Sequence, residues 1–412
     1  MNPTTPGVDE AQDVATKPQF TQETGLALQG VRQALAEFVA AVPGDMRRPT
    51  DLQKALGVDS KICWQIFNVI RDDGSIAPAI HVPTLPALRR AMASAESAGV
   101  PTTLIHGVRQ SLENFEKVVE AHAGARPDFD AMVAAVAPSE HSGQVELKHR
   151  RSVYRGLSHV WGTQVDVLST ATLLRANDDD TTDRLILSHK RGLRRLRPDA
   201  HIGVYGYRIS LHAPAKPQET IALEPGSIEQ YGAPLLPAFC SQPLPEFRMS
   251  TDPEGWSTCE LAGESIGRFS EMDLAFGTVT RGIESPLDTD GRAWLGSNVL
   301  STTPTGLLVS TLLVHRPSFG RVRPEMLIFA NTPGSDAPQA VRRVALPLRE
   351  RIAELGPADR LAGSPDEPRL AEMLRTACDR AGWDLAEFDA YRVRVQYPVL
   401  HSVLRMFFYP NG

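Results

Sequence analysis

RRPTDLQKALGVDSKICWQIFNVIRDD, residues 47–73, is the stretch on which the reading of this chain turns. Pro49 and Thr50 open a short helix, because a threonine hydroxyl can cap a free backbone N–H and Asp51 suits the positive helix end. Leu52 and Leu56 lie one turn apart and share a face. Gly57 follows at once, as expected where a helix ends in left-handed backbone. Val58 plugs the turn. Asp59 or Ser60 caps a second helix over about Lys61 to Arg71, whose Ile62, Cys63, Ile66, Phe67 and Ile70 recur at three and four. Asp72, Asp73 and Gly74 end it.

The order of cap, helix, glycine, apolar residue and helix resembles the helix-turn-helix of bacterial transcriptional regulators. Carried over by position, Gly57 is the turn glycine, Val58 the apolar residue after it, and Cys63 and Ile66 the core of the second helix. The resemblance implies that this helix enters the major groove of duplex DNA and presents Ser60, Lys61, Trp64, Gln65 and Asn68. Gln65 and Asn68 would read bases, since an amide can bond adenine at two points. Arg47, Arg48, Thr50, Lys54 and Lys61 would hold phosphates, which position the protein without reading sequence. It also implies a dimer reading paired half-sites.

Charge leaves a second reading open for the same stretch. From Met46 to Ser75, Arg47, Arg48, Lys54, Lys61 and Arg71 stand against Asp51, Asp59, Asp72 and Asp73. Phosphate contact supplies most non-specific affinity. A near-balanced pair of helices also suits packing or contact with another protein.

Outward from this stretch, 412 residues exceed one ordinary core and suggest two or three domains. Apolar content of 42% and charged content of 22% fit a soluble globular chain. The net charge of −6 excludes a globally basic nucleic-acid coat. Cys63, Cys240, Cys259 and Cys378 are scattered, with no C-x-x-C pair, so reduced thiols in a cytoplasmic protein are expected. The N-terminus has no apolar signal core. The most apolar run, Leu307 to Val314, is far shorter than the ~20 residues of a membrane span.

Residues 1–20 read as a disordered tail. A helical domain over 21–137 follows. Leu28, Val31, Leu35, Phe38 and Val42 give one helix the spacing of a packed seam, and Ile105, Val108, Leu112, Phe115 and Val119 do the same for another. Further helices are expected over Leu85 to Ala98 and Asp128 to Val136. Ser75 to Thr84 offers at most one ragged strand of a wing. Pro138 to Gly143 reads as a linker.

Residues 138–412 read as a larger β-rich domain. Strands are expected in Ser158 to Leu174, at Leu185 to Leu187, in His201 to Leu211, Trp294 to Leu300, Leu307 to His315, Met326 to Ala330, Tyr391 to Tyr397 and Val403 to Tyr409. Leu307 to His315, nearly all apolar, should be central. Helices are expected over Ala345 to Leu355 and Glu367 to Gly382. Asn177 to Asp183 reads as a solvated turn, lacking the glycine and glutamate of a calcium loop. The basic run His189 to Arg197 reads as a solvated surface, with anion or nucleic-acid contact as the alternative. Strands and helices do not alternate as a doubly wound sheet requires, so the class is α+β.

No dinucleotide-binding, phosphate-loop or metalloprotease motif occurs, and no cofactor or metal site is implied. Gly263-Glu264-Ser265-Ile266-Gly267 matches the hydrolase nucleophile elbow, which needs a strand before the serine and a helix after it. Asp288, His315 and His401 follow Ser265 in the order its partners would need. Trp161, Tyr205, Tyr207 and Trp294 are core aromatics or pocket walls. Three functions follow. The first is a DNA-binding regulator whose second domain senses a small molecule or self-associates. The second is a non-enzymatic assembly protein whose helical domain is an interaction arm. The third is a serine hydrolase at Ser265.

Overall fold

A computed structural model describes residues 17–71, 74–137, 140–208, 219–252, 256–331, 337–361 and 366–410. The fold is α+β: helices first, then a larger β-rich part. The chain divides into two compact units between Lys148 and His149.

The first unit holds α1 (Lys17–Ala41), α2 (Pro49–Leu56), α3 (Ser60–Ile70), α4 (Leu85–Ser97), α5 (Thr102–Ala123) and α6 (Arg126–Val136), and α7 (Glu140–Trp161) begins in it. Each seam predicted by spacing is buried. Leu28, Val31, Leu35, Phe38 and Val42 of α1 share one core with Ile105, Val108, Leu112, Phe115 and Val119 of α5. Burying each such side chain stabilises the unit by roughly 1.5–3 kcal/mol. The helix over residues 17–20 corrects part of the expected tail. Phe20 is buried edge-on against His122 and Phe129, so an apolar anchor extends α1 by a turn. Residues 1–16 lie outside the described residues. Where a ragged strand was expected, Ala77–His81 forms a 3-10 turn.

The linker expected at Pro138 to Gly143 and the first strand expected from Ser158 are also corrected. Pro138 and Ser139 lie outside the described residues, but α7 runs unbroken from Glu140 to Trp161 before Gly162 ends it. Within the second unit Arg150 donates to Glu350 at 2.6 Å, Tyr154 packs on Tyr397, and Trp161 on His401. These contacts hold a helix through Val160, whose β-branched side chain fell in the expected strand.

The second unit contains β1 (Thr163–Ala176), β2 (Thr181–Arg195), β3 (Gly203–Arg208), β4 (Glu219–Ala222), β5 (Phe247–Thr251), β6 (Trp256–Leu261), β7 (Met272–Glu284), β8 (Leu295–Leu300), β9 (Thr305–His315), β10 (Glu325–Ala330), β11 (Ala353–Pro357), β12 (Phe388–Gln396) and β13 (Ser402–Phe408), with α8 (Leu370–Ala381). Seven strands form one mixed sheet in the order β11-β12-β9-β1-β2-β7-β4. β1 and β9 pair in parallel, and the other pairs are antiparallel. β9, the apolar run, is central as expected.

Period-2 alternation divides the sheet's side chains between two faces. Leu168, Leu174, Leu308, Leu312, Tyr391, Val393 and Val395 pack against the small sheets β10-β13-β8 and β3-β6-β5. Ala171, Leu173, Leu185, Leu187, Leu313 and Ala390 pack under Leu370, Met373, Leu374 and Ala377 of α8. The helix expected over Ala345 to Leu355 is absent. Pro347 interrupts it, Ala345 bridges Phe329, the Leu346 N–H donates to Ile328 O, and the chain stays extended into β11.

Candidate nucleic-acid interface

The turn at Gly57 is built as its residue order demands. Gly57 has φ 62° and ψ 33°, and its N–H donates to Gln53 O at 2.8 Å. A Cβ there would meet no atom within 4 Å, so the demand is backbone conformation, not space. Asp59, rather than Ser60, caps α3 by accepting the Lys61 N–H at 2.7 Å. Thr50 is not the cap of α2. Arg48 holds that position with extended backbone, and Asp51 accepts the Arg48 N–H at 2.9 Å. Proline at the first helical position, whose φ suits a helix start, moves the cap one residue earlier.

Leu52, Leu56, Cys63, Ile66 and Val69 bury the inner faces of the two helices. Burial pushes the Cys63 thiol up, away from reactive thiolate. On the outer side Arg48, Pro49, Thr50, Ser60, Lys61 and Trp64 line an open concavity of about 700 Å³. The N-termini of both helices therefore open onto one hollow. It gathers Arg48, Thr50, Ser60, Lys61 and Trp64 from the predicted contacts, while Arg47, Lys54, Gln65 and Asn68 are not in its lining.

Those four differ in availability. Lys54 is exposed. The Arg47 side chain is 82% exposed and paired with Asp45 at 2.8 Å. Gln65 is half-buried, and Asn68 donates its amide to Trp64 O at 2.8 Å, back onto its own helix. Trp64 is 43% exposed, with His81 edge-on at 4.9 Å. His81 was not legible as a participant, because only the 3-10 turn, which no strand pattern announces, brings it beside Trp64.

The other motifs resolve differently. Ser265 is exposed after β6 and is followed by a four-residue 3-10 turn, Gly267–Ser270. Gly263 and Gly267 have φ 93° and 64°, so the two glycines of the motif serve the loop's own left-handed backbone. Both His315 nitrogens are engaged, Nδ1 with Ser318 at 2.6 Å and Nε2 with Glu387 at 3.0 Å. Asp288 is held by Arg292 and Gln339.

The basic run His189–Arg197 is a correction to the surface reading, for most of it lies in β2 and faces inward. Lys190 is buried and donates to Val204 O at 2.8 Å, and burial pulls its ammonium down to about 8. Arg195 is buried against the Ala200 and Leu261 carbonyls, and Arg194 pairs with Asp166. His189 lies 2.7 Å from Glu367. The acidic turn is likewise no solvated loop at its end. Asp183 is buried with Arg281, Asn177 and the Gly282 N–H. Burial raises its carboxyl, but those hydrogen bonds outweigh burial and hold it below the usual range. Of the aromatics, Trp294 is core, over the buried Arg405 guanidinium, and Tyr205 stacks on Phe276. Trp161 is half-exposed. The Tyr207 side chain lies outside the described residues.

Among the described residues no helix is long and apolar enough to cross a membrane, and no three His, Cys, Asp or Glu side chains are placed to share a metal. No protein-family model matches the chain, and no curated protein does. A solved structure of a candidate protease from Parabacteroides distasonis ATCC 8503 aligns at 8% identity and a TM-score of 0.25, over 60% of this chain and 41% of that one. Likeness of that degree carries no argument about function.

Proposed function

We propose that the first unit binds duplex DNA through α2 and α3, and that the second unit serves sensing or self-association in a transcriptional regulator. The observation that carries the reading is the single open hollow onto which both helix N-termini and Arg48, Thr50, Ser60, Lys61 and Trp64 converge. Helix N-termini and paired cations suit backbone phosphates. Trp64 stands at the exposed edge where a groove-lying helix would meet sugar or base. Gln65 and Asn68 read bases in this proposal, Asn68 after exchanging its bond to Trp64 O for a base edge.

The assembly reading draws on a different observation. Asp45 pairs with Arg47, and Asp51 and Asp59 accept the backbone N–H of Arg48 and Lys61, so carboxylates lie among these cations, an arrangement that also suits a protein partner. Selection of bound duplexes from a random pool, at two salt concentrations, decides between them. Enrichment of one sequence, with binding to it weakened by Arg48→Ala with Lys61→Ala, is the outcome expected of a regulator. Recovery of no sequence, with all binding lost at the higher salt, overturns that reading in favour of a protein-binding arm.

A further inference from the structure

We infer that the α8 face of the large sheet holds a small oxyanion, of carboxylate or phosphate chemistry, between Arg392, Ser169 and His189. The inference concerns the second unit alone and stands whether or not the first unit binds DNA.

Strand register sets these side chains together. Arg394 pairs with Val309, Val309 with Ser169, and Ser169 with His189, in one row across β12, β9, β1 and β2. Arg392, Thr311, Ala171 and Leu187 form the next row. Alternation puts both rows on the face that carries α8, because Ala171 and Leu187 pack there. The turn Asp366–Arg369, just before α8, lies over this floor. Glu367 meets His189 Nδ1 at 2.7 Å, Asp366 pairs with Arg394 at 2.7 Å, and the Asp366 carbonyl accepts Arg191.

Among the described residues, Ser169 Oγ, His189 Nε2 and Arg392 Nη2 of this floor are buried without a hydrogen-bond partner. Ser169 is 2% exposed and His189 3%. Arg392 spends its Nε on Thr311 Oγ1 at 3.1 Å, which turns the guanidinium from β12 toward β9. A buried polar atom without a partner is costly, so three on one face call for an occupant. The occupant's chemistry follows from theirs. Guanidinium only donates, and a hydroxyl can donate. Two donors on one floor, Arg392 and Ser169, fit an acceptor-only group, and guanidinium matches a carboxylate or phosphate edge in two places.

Calorimetric titration of the full chain with inorganic phosphate, and separately with succinate, tests the assignment and separates the two sources. One saturable site per chain for one of the two anions is expected. Arg392→Gln should weaken it by about tenfold and Ser169→Ala by about threefold. Absence of saturable heat for both anions up to about 10 mM, or equal affinity in Arg392→Gln, overturns it. Crystals of the unaltered protein soaked in arsenate, a heavy phosphate analogue, give a readout that needs no variant to fold. An anomalous peak within hydrogen-bond reach of Arg392 and Ser169 supports the site. Ordered water there and no peak, together with no saturable heat for succinate, overturns it.

Discussion

Two stretches of this protein carry arginine and lysine, and they have opposite fates. Arg47 to Lys61 is nearly charge-balanced by its aspartates, yet its cations stand outside, and two of them, Arg48 and Lys61, line an open hollow. His189 to Arg197 is strongly basic, yet β2 turns His189, Lys190 and Arg195 inward, where Glu367 and backbone carbonyls receive them. Counting charges along the chain orders the two the wrong way as surfaces. What separates them is geometry. An amphipathic helix sheds its polar side chains to one exposed face, while a strand covered on both faces buries whatever it carries.

If that contrast is right, replacing cations of β2 changes folding stability, and removing them from α2–α3 damages only binding. The largest effect is expected in β2. Arg195→Ala leaves the Ala200 and Leu261 carbonyls without their donor and should lower unfolding free energy by about 3 kcal/mol in denaturant melts. A loss within experimental error would place Arg195 on a solvated face and break the comparison.

Lys190 sharpens it through pH. Its folded value of about 8 lies below the ordinary lysine value, so the unfolded chain binds more protons between the two. The penalty for burying the charge is complete at and below pH 8 and fades as pH rises toward the unfolded value. Lys190→Met should therefore stabilise at pH 7 by about 2 kcal/mol, a gain that narrows by pH 10. A gain equal at both pH values would show that the ammonium is not desolvated. Asp183 has the opposite sign. Its carboxyl is held low, so its contribution is present at neutral pH and is lost as pH falls through the carboxylate range. Asp183→Asn should flatten the fall in melting temperature below about pH 4.

On the helical side, Arg48→Ala with Lys61→Ala should leave the melting temperature unchanged and reduce duplex affinity about tenfold at low salt, read by fluorescence anisotropy. Unfolding by this pair would erase the contrast with β2. The smallest effect belongs to the turn. Gly57→Ala forces a side chain into left-handed backbone and should lower the unfolding free energy by about 1 kcal/mol, with no change at the hollow itself.

The amino-acid order alone determined the helical unit. The seams of α1 and α5, the glycine turn and the inner faces of α2 and α3 rest on contacts three and four residues apart, and short-range spacing states them directly. It also determined that β9 is central, since an unbroken apolar run has nowhere else to go. The same local rules misread Ser158 to Trp161 and Ala345 to Leu355, where Tyr397, His401 and Phe329, distant in sequence, settled helix or extended chain. Tertiary structure alone decided which cations meet water, that β9 lies parallel beside β1, and that Arg392, Ser169 and His189 share one floor. Those outcomes depend on which strands pair, an arrangement between residues far apart in the chain. Side-chain alternation assigns a residue to one of two faces but does not say what will cover it.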